Sequence, residues 1–164
     1  MDLSAQPATG RLDDTQVTKE SDRSIVVKRS FRATPRQVCD ALTKQDQVPS
    51  WFRPARMRLM RYDADFRNGG TSRYVFERSG GKRLELRHTY REIAPPHRWD
   101  HVETYDFSPL ELSVTTVLEE DGGKTIFTQT IRYAAQQERD DDFATVSESA
   151  AEIYRKFDDY LKSR

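Results

Sequence analysis

The sequence predicts an α+β fold in which a curved antiparallel β-sheet wraps around a long carboxy-terminal helix, with two short helices after the first strand. Three observations support this fold class. Apolar residues alternate with mostly polar ones in a first strand at residues 23–31. The alternation returns from residue 56 to residue 133, with turn sequences between the strands. The final segment, from residue 140, changes to the three- and four-residue steps of an amphipathic helix.

Length and composition limit the class of protein. The 164 residues suffice for one domain with its own core, and an aromatic content of 10% argues against full disorder. The formal net charge is zero, so no overall basic field predicts a nucleic-acid partner. No apolar run has the length of a membrane span, and the amino terminus lacks the apolar region of a secretory signal. We therefore predict a cytoplasmic protein without a membrane partner.

The amino-terminal residues differ in composition from the rest of the chain. Residues 1–22 contain few large apolar side chains, so their burial cannot offset the entropy lost on ordering them. We predict a flexible tail over residues 1–22 and a single domain over residues 23–164. The one cysteine, Cys39, excludes an internal disulfide and a cysteine-rich metal site, and we predict that it is inert and partly buried.

The folded part begins with a strand and two short helices. Ile25, Val27 and Phe31 indicate a strand with one buried face. Thr34 suits the N-cap of the next helix, and Pro35 suits its first position. The segment DQVPSWF, residues 46–52, indicates a second short helix or turn that ends on aromatic side chains.

About six antiparallel strands follow. They are predicted at residues 56–63, 71–78, 84–93, 98–107, 112–118 and 125–133, with turns at FRNGG, SGGK, Ala94-Pro95-Pro96 and EDGGK between some of them. The alternation leaves two choices for the last strand, since either Ile126, Thr128 and Thr130 or Phe127, Gln129 and Ile131 face inward.

The carboxy-terminal helix is predicted to pack unevenly. Its apolar face consists of Phe143, Val146, Ala150, Ile153, Phe157 and Leu161. The first half of the helix carries mainly small residues, whereas the second half carries the bulky ones. A twisted sheet around such a helix leaves space next to the small residues.

Polar side chains share the inward faces of two neighbouring strands. His88 lies on one face with Leu84, Leu86 and Tyr90, and Trp99, His101, Glu103 and Tyr105 share a face of the next strand. Two histidines and a glutamate can bind a metal, act as acid and base, or simply pair with one another in an interior. The sequence has no HExxH, GxSxG or phosphate-binding glycine motif. We predict no metal, no cofactor and no catalytic residue.

The chain resembles the START-like, helix-grip superfamily, and within it the proteins related to the carboxy-terminal domain of the activator of Hsp90 ATPase. The resemblance covers residues 23–162 and rests on the order of IVVKRSFRATPRQVCDAL, VPSWF, DFRNGG, TYREIAPPHRWDHVETYD and GGKTIFTQT. It implies a deep cavity between sheet and long helix that holds small, mostly apolar ligands. Departures from the pattern common in relatives, all expected near the cavity, are Asn68 for valine, His88 for glycine and Ser149-Ala150 for Gly-Trp.

The resulting hypothesis is a binding protein for a small, largely apolar ligand, either a monomer or a homodimer. Its predicted lining residues are Trp51, Phe52, Tyr74, Phe76, His88, Tyr90, Trp99, His101 and Glu103. Trp51 and Phe52 could form a gate over the cavity or could be plain packing. Two alternatives remain: a module that interacts with the Hsp90 chaperone, and a cavity enzyme that uses His88, His101 or Glu103 as acid or base. The chaperone alternative is the weaker one, because we expect only one domain.

Overall fold

The computed structural model describes residues 14–164, which form one eight-stranded antiparallel sheet and three helices. The strands are β1 Gln16–Ser21, β2 Ser24–Phe31, β3 Met57–Ala64, β4 Thr71–Arg78, β5 Arg83–Ala94, β6 Arg98–Tyr105, β7 Glu111–Asp121 and β8 Lys124–Arg132. The helices are α1 Pro35–Thr43, α2 Val48–Trp51 and α3 Gln136–Lys162. The strand order is β1-β2-β8-β7-β6-β5-β4-β3, so β2 joins the two halves of the sheet by pairing with β8. The predicted α+β, helix-grip architecture is confirmed.

The edge strand β1 corrects the prediction of a flexible tail for residues 16–21. Its backbone pairs with β2, from Gln16 opposite Lys28 to Lys19 opposite Ile25. The Lys19 ammonium also lies 3.2 Å from the Asp140 carboxylate on α3. Because backbone hydrogen bonds and polar contacts hold this strand, it does not need the apolar alternation from which a buried strand is predicted. The remainder of the predicted tail, residues 1–13, lies outside the described part of the chain.

The two short helices are fixed by specific polar contacts, as their sequence predicts. Thr34 and Gln37 form a reciprocal capping box at the start of α1, with N···O distances of 3.2 and 2.9 Å. The Trp51 indole N–H at the end of α2 donates to the Ala41 carbonyl oxygen at 2.8 Å. The second bond joins α2 to α1, and the Trp51 ring also packs on Phe157 of α3.

Helix α3 is longer than the predicted segment, since it begins at Gln136 rather than near residue 140. Its first turn has no apolar spacing, but the buried Arg139 side chain donates to the Ser21 carbonyl oxygen of β1 and anchors it there. Further along, the fully buried Phe157 packs on Phe31 and Trp51. No helix within residues 14–164 has the length and apolar character needed to span a bilayer.

Two local features shape the sheet near the strands that carry the polar residues. The β5–β6 register shifts between Tyr90 and Ile93, and the Asn68 side-chain oxygen accepts a hydrogen bond from the Ile93 N–H at 2.8 Å. Gly70 precedes β4, where a Cβ atom would lie 2.1 Å from the Asp65 carbonyl oxygen, so the position requires glycine. Asn68 therefore supports the bulge and is not itself a lining residue, although the next residue, Gly69, donates to the carbonyl oxygen of the lining residue Tyr90.

The inward face of β8 is now resolved. Phe127 is 1% exposed and Ile131 is 8% exposed, and Gln129 lies between them on the same face. The pattern with Phe127, Gln129 and Ile131 inward is therefore correct. This face of β8 looks toward α3, because the rings of Phe127 and Tyr154 pack with centroids 4.9 Å apart.

Candidate functional site

A cavity of about 250 Å³ lies between the inner face of the sheet and α3. The helix contributes Val146, Ser149, Ala150, Ile153 and Tyr154 to its wall. The side chains of Ser149 and Ala150 are small, whereas Phe157, about two turns later, fills the corresponding space with its ring. The open space thus lies beside the half of the helix in which the sequence has its small residues.

Most of the predicted lining residues surround this cavity. They are Trp51, Phe52, Tyr74, His88, Tyr90, Trp99, His101 and Glu103. Phe76 is the exception, which corrects the prediction. It is buried in a smaller cluster with Val48, Tyr62, Tyr74 and Leu84, and the Phe52 ring lies against it with centroids 5.7 Å apart. The strand alternation placed Phe76 on the inward face correctly, but Phe52 fills the space in front of it.

Trp51 and Phe52 were open to two interpretations, a gate or plain packing. The Trp51 side chain is 5% exposed, its indole N–H is hydrogen-bonded to Ala41, and its ring lies 4.4 Å from that of Phe157. Trp51 is therefore a packed wall of the cavity. Phe52 stacks on Trp51 at 5.4 Å and is half-buried, so it lies at the edge of the same aromatic group.

Several lining residues were not predicted, among them Val27, Leu42, Leu86, Thr116, Phe127 and Gln129. The alternation contained a signal for some of them, because Leu86 shares the face of His88, and Gln129 shares the face of Phe127. Val27 and Leu42 come from distant segments, and only the closure of the sheet by the β2–β8 pairing brings them to the cavity.

The polar part of the wall is built by β5 and β6. His88 and Glu103 are directly opposite each other in the β5–β6 ladder, and His101 is two residues before Glu103 on the same face. The Nε2 atoms of His88 and His101 lie 3.0 and 3.3 Å from the same Glu103 oxygen, Oε1. The two imidazole rings are stacked, with centroids 3.9 Å apart. The Tyr105 hydroxyl donates to the other oxygen, Oε2, from outside the cavity.

This arrangement fixes the charge of Glu103. Burial alone would raise the pKa of its carboxyl, but the hydrogen bonds from His101 and His88 outweigh burial and lower the pKa well below its usual range. Burial, and then the neighbouring His88, lower the pKa of His101 to about 4. At pH 7 Glu103 is therefore ionised and His101 is neutral. The hydrogen bond to Glu103 assigns the proton of neutral His101 to Nε2.

The same three residues have the ligand types and spacing of a metal site. One ligand atom from each of His88, His101 and Glu103 lies within 4.8 Å of the other two. Coordination through His101 Nε2 would move the ring proton to Nδ1, which is buried and has no hydrogen-bond partner. A metal-bound histidine normally donates that proton to a neighbouring group. The geometry therefore suits a hydrogen-bonded carboxylate better than a metal centre, and the absence of a metal or cofactor stays a prediction.

Cys39 lies on α1 and is 1% exposed. Burial, and then the adjacent Asp40, raise the pKa of its thiol to about 11, so it is protonated and a poor nucleophile at neutral pH. Cys39 is more completely buried than the sequence predicted.

Comparisons with known proteins place the chain in a family. The model of the family "Activator of Hsp90 ATPase homolog 1-like protein" matches residues 32–162. A crystal structure of a Rhodobacter sphaeroides protein is similar with 29% sequence identity and a TM-score of 0.88, over 93% of this chain and 100% of that one. Comparison with curated protein sequences gave no match.

More distant structures share the fold alone. A Nitrosomonas europaea protein is 15% identical with a TM-score of 0.78, over 89% of this chain and 98% of that one. An Arthrobacter aurescens protein is 16% identical with a TM-score of 0.79, over 91% and 92% of the two chains. Since the family model covers most of the chain and the sheet wraps around a long carboxy-terminal helix, this protein belongs to the activator of Hsp90 ATPase homolog 1-like family and has the START-like, helix-grip fold.

Proposed function

We propose that this protein binds a small, largely apolar molecule in the cavity between α3 and the sheet. The observation that carries the proposal is the cavity of about 250 Å³, whose wall is mainly apolar and aromatic with one cluster of polar groups. Protein interiors normally contain few voids larger than a water molecule. An apolar pocket with a few convergent polar groups is the usual form of a small-molecule site. The volume is slightly below the common range of about 300–1,000 Å³, which favours a ligand of one or two rings.

The charges of His101 and Glu103 argue against acid–base catalysis by these two groups. A general acid or base works best when its pKa is near the operating pH. The pKa of His101 is lowered to about 4, and that of Glu103 lies well below its usual range, so neither group exchanges protons readily near pH 7. Glu103 is better suited to accept hydrogen bonds from a ligand than to remove a proton from one.

The proposal is tested first by native mass spectrometry of the purified protein, which should reveal a co-purified small molecule. A second test uses isothermal titration calorimetry with 2-naphthylmethanol, a neutral two-ring alcohol. Ala150→Trp places an indole at the cavity wall and should abolish or strongly weaken binding. Ala151→Trp is the matched control, because Ala151 is the next residue on α3 but is exposed and does not line the cavity. Equal binding by wild type and both variants would contradict a ligand in this cavity.

Interaction with the Hsp90 chaperone is the second candidate, and its support is the family name. Within residues 14–164, the exposed large hydrophobic side chains are Met60 and Phe107, with 39% and 51% of their surface accessible. Known interfaces often use larger exposed apolar patches, so the cavity gives the stronger proposal. A pull-down with purified Hsp90 tests the chaperone alternative directly. Whether the protein is a monomer or a homodimer stays a prediction for analytical ultracentrifugation.

A further inference from the structure

We infer that the ligand of this cavity is an amine cation attached to an apolar ring system. The inference rests on the proposed function and adds the chemical class of the ligand. The inference starts from Glu103, whose side chain lines the cavity and has 20% of its surface accessible. Among residues 14–164 no lysine or arginine lines the cavity, so the carboxylate has no permanently charged basic partner in this part of the wall. Buried charges in proteins are normally paired.

The hydrogen-bond donors around Glu103 belong to two histidines and a tyrosine, and none of them is a lysine or an arginine. His88 and His101 both direct Nε2 at Oε1, and the Tyr105 hydroxyl donates to Oε2. A carboxylate has about four lone-pair sites and that of Glu103 meets three donors, so it can accept one more hydrogen bond. An ammonium group supplies both that hydrogen bond and the positive charge.

The rest of the wall fits a cation as well. Trp51, Phe52, Tyr74, Trp99, Phe127 and Tyr154 contribute aromatic rings to the same cavity. The faces of aromatic rings carry partial negative charge and attract ammonium groups, and the attraction grows when the site is desolvated. An aromatic cavity whose wall, within residues 14–164, has one carboxylate and no lysine or arginine therefore favours a cationic ligand. A carboxylic acid would meet the like charge of Glu103.

The experiment compares three ligands that share one ring system and differ in charge. They are 2-naphthylmethylamine, a cation at pH 7, 2-naphthylmethanol, which is neutral, and 2-naphthoate, an anion. Affinities are measured by calorimetry at pH 7 in buffer with EDTA, at an ionic strength near physiological to screen distant charges. We expect wild type to bind the amine about tenfold or more tightly than the alcohol, as for a hydrogen bond between charged groups, and to bind the naphthoate most weakly.

Two variants identify the group responsible. Glu103→Gln keeps the size of the side chain but removes its charge, so the amine should lose about ten- to a hundredfold in affinity, the alcohol should lose less than the amine, and the preference for the amine should disappear. Glu119→Gln removes an exposed carboxylate that does not line the cavity and should bind all three compounds like wild type. If Glu103→Gln does not fold, the order of the three affinities in wild type decides the question without it.

The possible results separate the inference from the proposed function. Equal affinity for amine and alcohol would mean that the two histidines already neutralise Glu103, and it would overturn the inference while the apolar site stands. Preference for the naphthoate would overturn it in the same way. Failure of wild type to bind any of the three would count against both. Stoichiometric uptake of Zn²⁺ in EDTA-free buffer, lost in His88→Gln and His101→Gln, would replace the amine with a metal ion.

Discussion

Truncation of Phe157 tests the packing of α3 more directly than any other substitution. Phe157 is 0% exposed, and its ring lies 4.9 Å from that of Phe31 on β2 and 4.4 Å from that of Trp51 on α2. Phe157→Ala should lower the free energy of unfolding by about 3–5 kcal/mol, the usual loss for a buried phenylalanine. We expect the upper half of that range, because aromatic contacts contribute about 0.5–1.5 kcal/mol each beyond the buried area.

Urea unfolding followed by far-UV circular dichroism measures this loss. The urea concentration at the midpoint should fall, while the slope of the free energy of unfolding against urea concentration stays unchanged, since the native surface is nearly the same. In a protein of this length, the loss corresponds to a melting temperature lower by roughly 6–20 °C. Phe107→Ala is the control, because Phe107 is 51% exposed and its truncation should change stability by less than about 0.5 kcal/mol. A loss below about 1 kcal/mol for Phe157→Ala would refute the docking of α3 described above.

Three further predictions concern the cap, the polar wall and a turn. Thr34→Ala removes the capping-box hydroxyl of α1 and should lower the free energy of unfolding by about 1 kcal/mol in urea titrations. The pKa of His101 is lower in the folded protein, about 4, than its ordinary value of 6.5, so the unfolded chain binds the extra proton between these values and stability should rise with pH across that window. The contribution is on the order of 3 kcal/mol, and His101→Gln should reduce the stability difference between pH 4.5 and pH 7. Gly70→Ala should destabilise strongly, because its Cβ would lie 2.1 Å from the Asp65 carbonyl oxygen, and thermal melting should separate it clearly from wild type.

The inward faces of the central strands illustrate what could be predicted without coordinates. Side chains alternate across a strand with a period of two, so the positions of His88, His101 and Glu103 on apolar faces followed from local spacing alone. Their contact with one another did not follow. It depends on the β5–β6 register, which places His88 opposite Glu103, and a shift of one residue would have turned one set to the other face of the sheet.

The incorrect predictions also have physical causes. β1 was predicted as tail because an edge strand held by backbone hydrogen bonds needs no apolar pattern. Helix α3 began earlier than predicted because its first turn is held by Arg139 and not by apolar residues. Phe76 faces inward as predicted, yet the distant residue Phe52 covers it.

The sequence by itself determined the order of the elements from β2 onward, the inward face of most strands and the small side chains in the first half of the carboxy-terminal helix. Each of these is a local property, set by periodicity and side-chain size over a few residues. The tertiary structure decided whether the half of the helix with small side chains leaves an open space, and which charged groups meet at the wall of the cavity. The cavity depends on the curvature of the sheet around α3, and the His88–Glu103–His101 cluster depends on the register between β5 and β6, and local periodicity sets neither of these.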